Sequence, residues 1–326
     1  MITLMITESL HIGLIDLKTR IVLPPMATEK SEGGLVSDAL CEYYRERARN
    51  PLIGLIITEH MYIASQGKAS RGQLSIDDDG AINGLKRLTD TIHDAGNGIK
   101  VFAQINHAGG KADPELTGQE TVSSSAQHFK YSESRELSTD EIHRIAELFA
   151  DATLRAKKAG YDGVEIHSAH GYLLNQFYSP LINRRRDEYG PDSMENRLRF
   201  HKEVLFRTRK LVGDEFPIAV RLGGCDYQEG GSSEEDAAEA SRLLYGYGAD
   251  MIDISGGMNG YIIEGHDYPG YFKDMSKNVK EAVRIPVMTT GGVTRPEEAE
   301  ELLSGGYADL IGVGRAIYKD AAWGLD

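Results

Sequence analysis

Eight short runs rich in valine, isoleucine and leucine recur along the 326-residue chain, each followed by a longer stretch of helical spacing. Few folds accept that alternation. The runs are Ile21 to Pro25, Leu52 to Glu59, Ile99 to Asn106, Gly163 to His167, Ile218 to Leu222, Met251 to Ile254, Pro286 to Thr289 and Leu310 to Val313. Their near-continuous apolar character suits parallel strands covered by helices. Ser138 and Glu141 have capping-box spacing, and Ile142, Ile145, Phe149, Ala152 and Ala156 then trace one apolar helical face. Ser232 with Glu235 and Thr294 with Glu297 repeat the start signal. Gly160 and Gly248 stand just before strands, where a helix stops in a left-handed residue.

Eight strand–helix units close into a (β/α)8 barrel, although a doubly wound open sheet has the same local pattern. An open nucleotide-binding sheet normally carries G-x-G-x-x-G after its first strand, and here Pro24, Pro25 and Met26 stand there instead. The expectation is an α/β TIM barrel, one domain over residues 1–326, with its eighth helix truncated. Long segments at about 107–137, 168–192 and 255–273 follow strands three, four and six. They lie on the side of a barrel where chemistry is found.

Charge and cysteine content narrow the partners. With 36 Lys and Arg against 50 Asp and Glu, the net charge of −14 argues against nucleic acid and anionic membranes. Two cysteines, Cys41 and Cys225, are too few for a disulfide framework or a cysteine-based metal site, and both read as structural. No metal site is expected. Residues 1–17 lack the charged start and unbroken apolar run of a signal peptide, and no segment is long and apolar enough to span a bilayer. A reducing, cytoplasmic location follows as the expectation.

The densest polar cluster is EIHSAHGYLLNQFYSP, Glu165 to Pro180, which begins in strand four and enters its long loop. Two imidazoles, His167 and His170, and the phenol of Tyr172 can aim donors at one substrate oxygen and place a proton donor beside it. That suits reduction of a polarised double bond. A metal site on the His pair is the competing reading, but H-x-x-H has neither a helical H-E-x-x-H nor a nearby cysteine to support it. Glycine-rich turns after the last two strands, Thr289 to Val293 and Gly312 to Ala316, fit a phosphate site, with Arg315 adding charge. Gln104 and Arg221 stand near the ends of strands three and five, where a buried guanidinium needs an anionic partner. A polar cofactor is one solution, and Glu165 or Asp253 is the other.

Taken together, RIVLPPMA (Arg20 to Ala27), GLIITEHMYIASQGK (Gly54 to Lys68), AQINHAGGK (Ala103 to Lys111), the His-x-x-His-Gly-Tyr segment, NRRRDEYG (Asn183 to Gly190), ENRLRF (Glu195 to Phe200) and ADLIGVGRA (Ala308 to Ala316) resemble the Old Yellow Enzyme family, in its bacterial ene-reductase and dienoyl-CoA-reductase branch. The resemblance runs from about residue 9 almost to the end. It implies a TIM barrel that binds FMN, takes hydride from NADPH or NADH, and reduces a small-molecule alkene activated by a carbonyl or nitro group. It also implies a homo-oligomer, a dimer or tetramer. By position, His167 and His170 would hold the activating oxygen and Tyr172 would protonate carbon. Gln104 would bond the flavin's pyrimidine edge, and Arg221 would stand beside the ring. Pro25, Met26 and Ala27 would line the flavin, with Glu59 and His60 at the strand-two end. Gly291, Gly292, Gly314 and Arg315 would bind the phosphate, and Ser255, Gly256 and Gly257 would approach the ribityl chain or substrate.

The chain departs from that pattern in three places. Ala27 stands where many relatives carry Thr or Cys, which implies a lower flavin potential than an Ala27→Thr variant would have. Thr28 and Glu29 replace an aromatic residue common in one branch. The sequence ends at Asp326, without the C-terminal arginine that in some relatives reaches a neighbouring active site. Larger relatives add an iron–sulfur site and nucleotide-binding domains, for which this chain has neither the cysteines nor the length. Two other functions fit the residues less well: a flavin-free, phosphate-binding isomerase or aldolase, and a non-catalytic flavin-binding protein.

Overall fold

The computed structural model describes residues 4–325. Its strands are, in chain order, Leu10–Ile12 (β1), Ile15–Leu17 (β2), Ile21–Leu23 (β3), Ile53–Tyr62 (β4), Lys100–Asn106 (β5), Val122–Ser123 (β6), Gln127–His128 (β7), Glu133–Glu136 (β8), Gly163–Ser168 (β9), Ile218–Cys225 (β10), Met251–Gly256 (β11), Val287–Thr290 (β12) and Leu310–Gly312 (β13). Strands β3, β4, β5, β9, β10, β11, β12 and β13 pair in that order, all parallel, and β13 returns to β3. Closure settles the choice between barrel and open sheet. The first run stops at Leu23, short of its expected end, because Pro24 and Pro25 have no N–H to give a ladder. Cys225, expected in a glycine-rich loop, lies instead at the end of β10, which continues past a register shift between Gly223 and Cys225.

Side chains alternate across each strand, so the barrel sorts them into an inside and an outside. Val22, Leu55, Ile57, Phe102, Ala219, Met251, Met288 and Leu310 form one inner cluster, joined by Ile12 and Leu17 of the β1–β2 hairpin. That hairpin plugs the floor. Two residues further along β5, β10 and β11, the same inward phase brings Gln104, Arg221 and Asp253 above the apolar floor. β9 contributes Glu165 and then His167 in the same phase.

The outer ring consists of Asp38–Ala48 (α1), Ile82–Ala95 (α2), Pro114–Thr117 (α3), Thr139–Lys158 (α4), Leu173–Tyr178 (α5), Met194–Arg197 (α6), Arg199–Val212 (α7), Glu234–Gly246 (α8), Lys273–Ala282 (α9), Pro296–Ser304 (α10) and Arg315–Lys319 (α11). The helix after the last barrel strand, α11, is five residues long. Ile142, Ile145, Phe149, Ala152 and Ala156 of α4 are all buried against the barrel's outer surface. Each large side chain so buried is worth about 2 kcal/mol of transfer free energy. Gly160 and Gly248 adopt left-handed φ values of 84° and 103° where α4 and α8 have just ended.

Ser138 caps α4 in a reciprocal box with Glu141. The other two start signals shift by one residue. α8 is capped by Ser233 with Asp236, since Ser232 is drawn inward, its N–H donating to buried Asp226. At α10, Glu298 and not Glu297 turns back to receive the Thr294 and Arg295 N–H groups, because Pro296 occupies the first helical turn. Ser138→Ala is expected to cost about 1 kcal/mol in urea unfolding. A loss below a few tenths would mean that packing of α4, and not its cap, holds that end.

Candidate active site

The long segments gather over the C-terminal mouth of the barrel. β9 carries His167 to the rim, and the chain then turns through His170, whose φ is +58°, and Gly171, whose φ is +72°. A left-handed histidine is strained, and three contacts hold it. Its N–H donates to the Gly256 carbonyl at 3.3 Å, its ring Nε2 meets Ser255 Oγ at 2.7 Å, and Lys111 Nζ donates to its carbonyl at 2.6 Å. The turn delivers Tyr172 to the start of α5. Ring centroids of His167 and His170 lie 5.0 Å apart, and those of His167 and Tyr172 lie 5.1 Å apart.

His60 joins the group from a bulge in β4, its ring stacked against Tyr172 at 5.5 Å. Its Nδ1 lies 3.1 Å from the Gln73 amide nitrogen and 3.2 Å from that of Asn106. Both are donors only, so Nδ1 accepts and the neutral ring carries its proton on Nε2. Burial pushes the His60 pKa down to about 4. Burial also holds His167 and His170 well below the usual range, with nearby His170 and Arg221 adding to the shift of His167. Three neutral imidazoles therefore line the mouth near pH 7. Burial pushes the Tyr172 phenol up to about 12, so it keeps its proton.

Gln104 and Arg221 occupy the inner layer beneath these rings. Gln104 Nε2 donates to Glu165 Oε2 at 2.6 Å. Arg221 Nε lies 3.1 Å from Asp253 Oδ2, an ion pair without the alignment of a hydrogen bond. Both acidic partners weighed from sequence are thus used, one for each residue. Neither excludes a cofactor. The Nη edge of Arg221 is tied to no protein acceptor among the described residues, and His167 Nδ1 is buried without a partner.

Glu59 is turned away from this cluster. Its side chain accepts from Thr28 Oγ1 at 2.5 Å, and its N–H donates to the Tyr44 hydroxyl. Burial raises its pKa to about 7, although the Thr28 hydrogen bond pulls the other way. A folded-state value above the unfolded one means that its contribution to stability is complete below about pH 4.5 and is lost as pH rises through about 7. Glu59→Gln should therefore unfold with a shallower decline in stability between about pH 5 and pH 8, a difference on the order of 3 kcal/mol. Parallel pH curves in urea would place the titration elsewhere.

Pro25 and Met26 are half-buried at the mouth and Ala27 is exposed. Opposite them, a Cβ on Gly314 would come 3.0 Å from Met26 Sδ. Gly291 and Gly292 have φ of +100° and +73°, and a Cβ on them would meet the Tyr271 ring at 2.6 Å and the Tyr268 carbonyl at 2.5 Å. Only glycine fits these turns. Arg315 is exposed beside them, its Nη2 3.5 Å from the Tyr271 hydroxyl. A backbone cradle with an exposed cation, an open guanidinium edge and an orphaned imidazole suit a flat, polar, phosphate-bearing group such as FMN. Ser255 and Gly256 support His170, while a Cβ on Gly257 would strike Asp226 Oδ1 at 2.2 Å.

Several residues of the mouth carried no sequence signal of their own. Lys111 and Asn106 stood inside a segment noted for other reasons, and Gln73 comes from a separate loop. Tyr261, with its ring 5.4 Å from His170, extends from the loop after β11. Among the described residues no group of three or more His, Cys, Asp or Glu is arranged to hold a metal ion, and no helix is long and apolar enough to cross a membrane.

The model of the NADH:flavin oxidoreductase / NADH oxidase family matches residues 6–325. An NADH oxidase of Thermoanaerobacter brockii is 38% identical over 322 residues, covering 96% of this chain and 49% of that protein. The structure of a 2-naphthoyl-CoA reductase with 2-naphthoyl-CoA superposes with a TM-score of 0.91 at 28% identity, over 98% of this chain and 51% of that one. The old yellow enzyme homologue from Zymomonas mobilis superposes with a TM-score of 0.83 at 27% identity, over 96% of this chain and 89% of that one. The chain spans about half the length of the curated relatives it matches.

Proposed function

The chain belongs to the NADH:flavin oxidoreductase / NADH oxidase family, whose flavin is FMN and whose hydride donor is a nicotinamide, and on that premise we propose that it is an ene-reductase acting on a carbon–carbon double bond conjugated to a carbonyl or nitro group. The observation that carries this reading is the meeting of His167, His170 and Tyr172 within about one ring's width at the mouth. FMN, when bound, accepts hydride from NADH or NADPH and delivers it to carbon. Gln104 and Arg221 would hold its ring from below, with Pro25, Met26 and Ala27 alongside. Gly291, Gly292, Gly314 and Arg315 would hold the phosphate.

His167 and His170, kept neutral by burial and by the charges of Arg221 and Lys111, offer N–H donors without a full positive charge. Such donors bind the substrate oxygen weakly at rest and more strongly as it gains negative charge, which is the differential that accelerates a reaction. His170 is pre-set for this by Ser255, Gly256 and Lys111. Tyr172, protonated across the physiological range, gives its proton to the carbon that does not receive hydride.

Family membership removes the flavin-free isomerase or aldolase from consideration. Anaerobic visible spectra of the FMN-reconstituted protein test what remains. Bleaching by NADPH or NADH followed by recovery on adding a cyclic enone supports the ene-reductase. Bleaching that only oxygen reverses would favour an oxidase, and flavin that never bleaches would favour a non-catalytic barrel.

A further inference from the structure

Two carboxyl groups under the mouth have no part in the reaction so far. Glu165 and Asp253 are fully buried, and Arg221 is the one cation paired with them among the described residues. Glu165 Oε2 accepts from Gln104, but Glu165 Oε1 and both Asp253 oxygens have no protein hydrogen-bond donor among the described residues. Two buried carboxylates against one guanidinium would leave a net buried charge, a costly state that proteins relieve by binding a proton. The two carboxyls are within hydrogen-bonding reach of each other; burial raises the pKa of both, the Asp253 charge and that contact raise Glu165 further, and Arg221 and the same contact pull Asp253 back down. Asp253 lies against Arg221 and so is the better anion.

A proton on Glu165 Oε1 donates to Asp253 and supplies the missing donor. Glu165 Oε2 is then a carbonyl oxygen that still accepts from Gln104, and Asp253 is a carboxylate that balances Arg221. We propose that Glu165 and Asp253 share a single proton held on Glu165, and that the pair is a positioning unit for Gln104 and Arg221. With its nitrogen committed to Glu165, Gln104 presents its amide oxygen to the site. The consequence for FMN rests on the reading that Gln104 and Arg221 border the flavin.

Infrared difference spectra of the apoprotein in H2O and D2O test the proton without the cofactor. A Glu59→Gln background removes the other buried carboxyl that holds a proton near neutrality. The expected result is an exchange-sensitive carboxylic-acid C=O band that disappears in Glu165→Gln. A missing band, or one that survives Glu165→Gln, overturns the assignment. FMN titration supplies the second arm: Glu165→Gln, which copies the protonated acid, should keep the dissociation constant within about 3-fold, while Glu165→Leu should raise it about 10-fold by freeing Gln104. Equal losses in the two variants would overturn the positioning role. Failure of the parent protein to bind FMN would count against the flavin reading alone, and the infrared result would still decide the proton.

Discussion

Tyr172→Phe is expected to slow reoxidation of the reduced protein by an activated alkene by about 10² to 10⁴-fold while leaving its reduction by nicotinamide nearly unchanged. The phenol packs against both His60 and His167, and burial keeps it protonated up to about pH 12. Phenylalanine preserves the ring that stacks on His60 and packs against His167, so packing is conserved and only the proton is lost. Stopped-flow measurement of the two half-reactions separates the outcomes. Equal slowing of both would mean that the variant disturbs flavin binding, and an unchanged alkene step would remove Tyr172 as donor. A pH profile adds a check, since no break attributable to Tyr172 should appear below about pH 11.

The barrel was legible because its signals are local. Each apolar run is a few residues long and eight of them recur with helices between, while Pro24, Pro25 and Met26 in place of a glycine fingerprint after the first strand favoured the closed barrel over an open sheet. The Ser138–Glu141 cap was legible for the same reason. At Ser232 and Thr294 a residue one position away won, in one case because Asp226 drew Ser232 inward and in the other because Pro296 fixed the first turn. Motif spacing carries no information about such pulls.

The site divides along the same line. His167, His170 and Tyr172 are neighbours in sequence and on a strand end, so their meeting could be foreseen. The coupling of Gln104 to Glu165 and of Arg221 to Asp253 joins four strands, and sequence left open which acid would serve which residue. The inward phase of β5, β9, β10 and β11 puts all four in one layer, but register across the barrel decides the pairs. The β1–β2 hairpin and the β6–β8–β7 sheet were missed, because two- to four-residue strands are too short for a period to show.

Arg221→Met is expected to destabilise the apoprotein by about 3 to 5 kcal/mol, the usual cost of stranding one member of a buried ion pair. Asp253 would be left with no cation, fully buried above an apolar floor. Its folded-state pKa would then rise further above the unfolded value, so stability would be lost as pH rises and the defect should shrink toward acid pH. Arg221→Met with Asp253→Leu removes both charges and should recover most of the loss, since a buried pair exchanged for apolar side chains is often neutral. FMN binding should not recover with it, because the guanidinium edge facing the mouth is gone in both variants. Urea unfolding with FMN titration reads the two effects separately. A double variant as unstable as the single would show that Arg221 holds the barrel through more than Asp253, and one that binds FMN like the parent would remove Arg221 from the flavin site.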